Sequence, residues 1–123
     1  MRVKPGSKIS SPVQILNIIT GEKSCSPRVF IRLEKDSSLT VKQTFVSSDY
    51  KAALDKEEED VLVNSNTRIF LDNHAILKHT YVQDLSLSSM HAEVITSDVN
   101  GESLHDLNVL QMGAAISLSL IHI

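Results

Sequence analysis

Residues 26–46 read SPRVFIRLEKDSSLTVKQTFV, and residues 66–83, NTRIFLDNHAILKHTYVQ, repeat them in worn form. A shift of 38 positions sets Ile31 on Ile69, Leu33 on Leu71, Leu39 on Leu77 and Val41 on His79, and the turn EKDS on DNHA. Within the first copy apolar and polar residues alternate: Val29, Ile31 and Leu33 against Arg28, Phe30 and Arg32, then Leu39, Val41 and Phe45 against Thr40, Lys42 and Thr44. A period of two is that of a strand with one buried face. Similar patterns predict strands in VQILNIIT from Val13, TRIFL from Thr67, AILKHTYVQ from Ala75, HAEVIT from His91, LHDLNVLQM from Leu104 and ISLSLIHI from Ile116. Turn formers punctuate them: Gly21, Pro27, Asp36 with Ser37, Asp72 with Asn73, Asp98, Asn100 with Gly101, and Gly113. Short strands between frequent turns predict an all-β architecture.

The repetition says how those strands associate. Discounting an insertion of about 14 residues leaves an underlying period of about 24, within the range of stacked repeat units. One such coil, of two or three strands, cannot enclose a core alone. It must stack on neighbours about 4.8 Å above and below through backbone hydrogen bonds. Like residues then pile on one another, which favours the Val, Ile and Leu found at the inward positions.

One segment departs from the pattern. DYKAALDKEEEDVL, from Asp49, is composed of helix formers, and residues 48–62 are expected to be an inserted acidic loop with a helical turn. Its carboxylates at Asp55, Glu57, Glu58, Glu59 and Asp60 lack the glycine and alternating spacing of a calcium loop, so a solvated segment is the better reading.

The chain has 123 residues, enough for one domain, and a net charge of -3. That charge, sparse aromatic residues and the absence of Trp argue against nucleic acid as a partner. Cys25 stands alone and has no partner for an internal disulfide. No apolar run reaches the roughly 20 residues that span a bilayer, so no membrane partner is expected. The opening MRVKPGSKISS has no secretory core, and an organelle address would lie upstream of Met1.

The histidines are the obvious candidates for chemistry, yet His74, His79, His91, His105 and His122 fit no zinc spacing. His74 lies in the DNHA turn and is expected in solvent. His79 falls on an inward register and reads as a hydrogen-bonded interior residue rather than a ligand. His91 and His105 stand about half a coil apart and are expected to approach each other, though a shared metal is not favoured. No GxSxG elbow, glycine-rich phosphate loop or HExxH motif is present. A carbohydrate lyase or hydrolase would need clustered acids beside aromatic platforms; Asp98, Glu102 and Asp106 lie in or near turns without such platforms. No catalytic, cofactor-binding or metal-ligating residue is therefore assigned.

The order GSKISSPVQILNIITGEKSCSPRVFIRLEKDSSLTVKQTFV, then NSNTRIFLDNHAILKHTYVQ, then HAEVIT and GESLHDLNVLQMG, resembles the SufB/SufD family of iron-sulfur cluster assembly proteins, SufD more than SufB. The marks are SPRVFI followed by an acidic turn and LTV, the NS pair, the A-x-L-K-H-x-Y-x-Q strand and the L-N-V-x-Q-M-G ending, between Gly6 and Gly113. The resemblance implies a right-handed parallel β-helix, of which residues 1–123 would be a partial core, and a scaffold role without catalysis; the alternatives are a β-helical carbohydrate-active enzyme or a passive repeat binding module with no iron connection. The resemblance also implies a SufB-like subunit and a SufC-like ATPase as partners of the full-length protein. The iron-sulfur cluster would be handled by the whole complex, with no cofactor bound by this segment; flavin, associated with the bacterial complex, can be assigned to no residue here. The wording is nearest the plastid type, implying the chloroplast stroma, with a bacterial cytoplasm as the alternative.

The chain departs from the family in three respects. The helical C-terminal region that docks SufC, and the cysteine or histidine implicated at the SufB/SufD interface, have no counterpart in these residues, so the chain reads as a fragment. The aromatic residue that relatives often carry before the NS pair is replaced by Leu62 or Val63. Residues 114–123, ending SLSLIHI, depart from the family pattern and read as a non-native tail.

Overall fold

The structure is a computed structural model, and it describes residues 1–20, 24–47, 61–86, 89–114 and 116–123. The described residues form nine strands: β1 (Arg2–Val3), β2 (Val13–Ile19), β3 (Arg28–Leu33), β4 (Ser38–Ser47), β5 (Val61–Leu71), β6 (Ile76–Asp84), β7 (Ser89–Val99), β8 (Leu104–Gln111) and β9 (Ile116–His122). The chain alternates between two sheets. Odd strands lie side by side in the order β1-β3-β5-β7-β9 and even strands in the order β2-β4-β6-β8. Every neighbouring pair is parallel.

The pairing confirms the repeat register and corrects its length. Ile31 lies beside Ile69, Leu33 beside Leu71, Leu39 beside Leu77 and Val41 beside His79, the 38-residue shift read from the sequence. Three other pairs have a shift of 28, as in Val13 beside Val41, Val61 beside Ser89 and Ile76 beside Leu104; β1 beside β3 has 30, as in Arg2 beside Arg32, and β7 beside β9 has 26, as in Met90 beside Ile116. Across the middle of the stack the unit is thus 28 residues rather than about 24, and the long unit carries 10 extra residues rather than about 14. The shorter estimate counted residues of the repeat itself as insertion: Val61 and Leu62, read as loop, open β5. Residues 48–60, including the acidic run, lie outside the described residues.

Sharp turns join each odd strand to the next even one, and they stack. Ser37 N donates to Glu34 O, Ala75 N to Asp72 O and Ser103 N to Asn100 O, while Asp36 N reaches up to Asn73 O at 3.1 Å. Asp36 (φ 57°) and His74 (φ 60°) take left-handed conformations at equivalent positions. Gly101, at φ 50°, lies one position earlier in its turn, level with Asn73, and a Cβ there would meet Asn73 Oδ1. The expectation that EKDS overlies DNHA therefore holds for the turn as well as for the strands.

The inner faces of the two sheets share one core. Ile31, Leu33, Ile69 and Leu71 from the odd sheet meet Leu39 and Leu77 from the even sheet, all but fully buried. Val63 is also buried, so the inward slot before the NS pair is filled by an aliphatic side chain. β9 pairs with β7 from Met90 beside Ile116 to Thr96 beside His122, as the ISLSLIHI pattern predicts.

Candidate functional site

The interior does not stay apolar along the stack. In β6 and β7 alternation turns His79, Tyr81, Gln83, Ser89, His91, Glu93 and Ser97 inward, and each is at least nine-tenths buried. Burying so many polar groups is costly unless each finds a partner. Most of them do.

One chain of bonds links five strands, β4 to β8. Ser97 Oγ lies 2.9 Å from His105 Nδ1, His105 Nε2 3.4 Å from His79 Nδ1, and His79 Nε2 3.1 Å from Gln43 Oε1; Gln43 Nε2 donates to Thr67 Oγ1 at 3.1 Å. The amide oxygen of Gln43 can only accept, so His79 Nε2 carries the proton. His79 Nδ1 must then accept from His105 Nε2–H, and His105 Nδ1 from the Ser97 hydroxyl. Both rings are neutral in this arrangement. Burial and the neighbouring His105 lower the His79 pKa to about 4. Burial also lowers that of His105, partly offset by Asp106.

A second, shorter set surrounds Tyr81. Its hydroxyl lies 2.9 Å from Ser65 Oγ and 3.0 Å from His91 Nε2, and its ring is 5.2 Å from that of Phe45. In either proton arrangement His91 Nδ1 has no hydrogen-bond partner among the described residues, and neither do the carboxylate oxygens of Glu93. Tyr81 and Glu93 are near enough to perturb each other without a well-formed hydrogen bond. Burial raises Glu93 to about 7, offset in part by Tyr81, and lowers His91. The Tyr81 hydroxyl is pushed up by burial and by Glu93.

The histidines thus sort differently from the sequence expectation in one respect. His79 is interior and hydrogen-bonded, as its register implies. His74 is half-exposed, and its Nδ1 lies 3.3 Å from Glu102 Oε2. His105, however, meets His79 and not His91, because β8 stacks on β6 and brings the ring across the even sheet. His91 points from the odd sheet toward Tyr81 instead. His122 is exposed on β9. Cys25 forms an isolated parallel bridge to Val63, which is itself level with His91, and its thiol is pushed up by burial. Among the described residues no three of His, Cys, Asp and Glu gather where a metal ion could sit.

The acids proposed for a sugar site do not converge. Asp98 faces outward from β7 and Asp106 outward from β8, on opposite sheets, and Glu102 lies in the turn between them. Sequence reasoning missed Gln43, Tyr81 and Glu93. Their signal was available: Tyr81 lies two residues from His79 on the same face, and Glu93 two from His91.

The polar layer is largely engaged with itself. What joins the chain to known proteins is the whole stack. Residues 17–123 match the family described as SUF system FeS cluster assembly, SufBD core domain. The chain belongs to this family. A relative, the Arabidopsis thaliana Protein ABCI7, chloroplastic, is 25% identical over 130 residues, covering 98% of this chain and 26% of that protein. The chain therefore spans about a quarter of the relative's length. No solved structure matches it. The SufBD core match runs through β9 and includes every strand of the polar layer.

Proposed function

We propose that this SufBD core segment is scaffold, a stretch of right-handed parallel β-helix that presents surfaces within an iron-sulfur assembly complex and performs no reaction itself. The observation that carries the reading is the stacking of like turns and strands in two parallel sheets, in a chain whose family works in iron-sulfur cluster assembly. Alternation between the sheets lets each unit template the next, giving a rigid core on which outer faces can be varied. The inward histidines support the same reading, since their ring nitrogens are largely spent on one another, Gln43, Ser97 and Tyr81.

The partners proposed for the full-length protein are a SufB-like subunit and a SufC-like ATPase. The cluster is cargo of the whole complex and not a resident of this segment. The chloroplast stroma is the proposed site of action, supported by the chloroplastic relative. A carbohydrate-active enzyme is not favoured, because Asp98, Glu102 and Asp106 do not form a working carboxylate pair. The test is co-purification from plastids with a tagged full-length protein. Recovery of SufB-like and SufC-like partners in stable ratio is expected; their absence from a folded, soluble preparation would refute the scaffold reading.

A further inference from the structure

The outer face of β3 and β5 is unlike the rest of this acidic chain. Arg28, Phe30 and Arg32 point outward from β3, and Arg68 and Phe70 from β5. Phe30 is 49% exposed. The register sets Phe30 beside Arg68 and Arg32 beside Phe70, so cation and ring alternate both along and across the strands. Arg32 Cζ lies 5.1 Å from the centre of the Phe70 ring. None of the three arginines forms an ion pair with a described residue, whereas Arg2, the next cation on this sheet, is held by Glu34 at 2.6 Å.

From this face we infer a docking surface for an extended acidic segment of a protein partner. Along the strand direction Arg28, Arg68 and Arg32 succeed one another at steps of two residues, because Arg68 stands level with Phe30. A strand advances roughly 6.6 Å per two residues and points alternate side chains to one side. An extended peptide with Asp or Glu at every second position therefore brings its carboxylates to the three guanidinium groups in step. Guanidinium is the side chain best matched to carboxylate by its fork of donors, and Phe30 supplies apolar contact between the charges. Asp98, level with Phe70 on the neighbouring β7, closes the patch on that side and keeps it short. A nucleic acid, with continuous charge, fits this bounded patch on a chain of net charge -3 less well. The inference stands independently of the scaffold reading.

The test uses the 123-residue chain and a fluorescein-labelled octapeptide alternating Glu with Val, followed by anisotropy at low salt. Binding is expected, and the triple substitution Arg28→Gln, Arg32→Gln, Arg68→Gln should weaken it by about tenfold or more. Phe30→Ala should weaken it severalfold while leaving the salt dependence unchanged. Circular dichroism checks that each variant folds, and Arg68→Gln alone serves if the triple variant does not. Absence of peptide binding, equal binding by the folded arginine variants, or tighter binding of an RNA oligonucleotide of equal charge would each overturn the inference.

Discussion

His91 and Glu93 stand two residues apart on the inward face of β7, and each buries polar atoms with no hydrogen-bond partner among the described residues: Nδ1 of the ring and both oxygens of the carboxylate. Neutral forms of both minimise the cost of that burial.

The first prediction concerns pH. His79, with His91 and His105 also lowered, binds protons in the unfolded chain below its ordinary value of 6.5 that it refuses when folded until about pH 4. Glu93 does the reverse: folded, it keeps a proton up to about 7 that the unfolded chain releases near 4.5. Depressed histidines lose stability as pH falls through 6.5, and the raised carboxyl loses it as pH rises toward 7. The histidines outnumber the acid, so urea midpoints should rise from pH 4.5 and level off near 7. Glu93→Gln removes the opposing proton and should steepen the rise by one proton, about 1.4 kcal/mol per pH unit between 5 and 6.5. An unchanged slope would show that Glu93 is ionised in the folded chain.

Tyr81→Phe keeps the ring packed on Phe45 and removes only the hydroxyl. Ser65 Oγ and His91 Nε2 then lose the same partner inside the core. Thermal or urea unfolding should show a loss of about 1–3 kcal/mol, well beyond that of a surface hydroxyl. A neutral substitution would mean that another group already serves these atoms.

Gly113 admits no side chain. A Cβ there would fall 2.0 Å from Leu85 O and 2.6 Å from Leu85 N, both backbone atoms. Gln83 adds a clamp, donating Nε2 to Gly113 O and accepting from Leu85 N and Gly113 N. Gly113→Ala should therefore cost more than about 2 kcal/mol by displacing backbone, read as a fall in the unfolding midpoint.

At His74 the prediction has the opposite sign. Its φ of 60° strains a side chain that glycine would not carry. His74→Gly should stabilise the chain by about 0.5–1 kcal/mol after the extra entropy of glycine is counted, since the bond to Glu102 is solvent-exposed. Loss of stability would show that the His74–Glu102 contact holds the turn column.

The outer face of β9 is apolar: Ile116, Leu118 and Leu120 are 54%, 64% and 62% exposed, and β9 has a free edge in its sheet. The isolated 123-residue chain should self-associate, visible as early elution in size-exclusion chromatography that grows with concentration. Leu118→Lys with Leu120→Lys should restore the monomer. A monomeric wild-type chain at high concentration would contradict this.

Alternating residues in two worn copies were enough to read the strands, the shift between copies and the inward placement of His79, because side chains on a strand alternate with period two whatever surrounds them. The 28-residue unit was not legible, because the acidic run blurs where one copy ends, and only pairing of β2 with β4 and β5 with β7 measures it. Nor could the sequence decide which inward side chains meet. His105 and His91 are equally inward by pattern, but facing partners depend on which strand stacks on which and how the two sheets oppose one another. That is why His105 met His79, Tyr81 bridged Ser65 to His91, and Arg68 came level with Phe30: strand period is a local property of the chain, whereas contact across sheets is set by register and packing together.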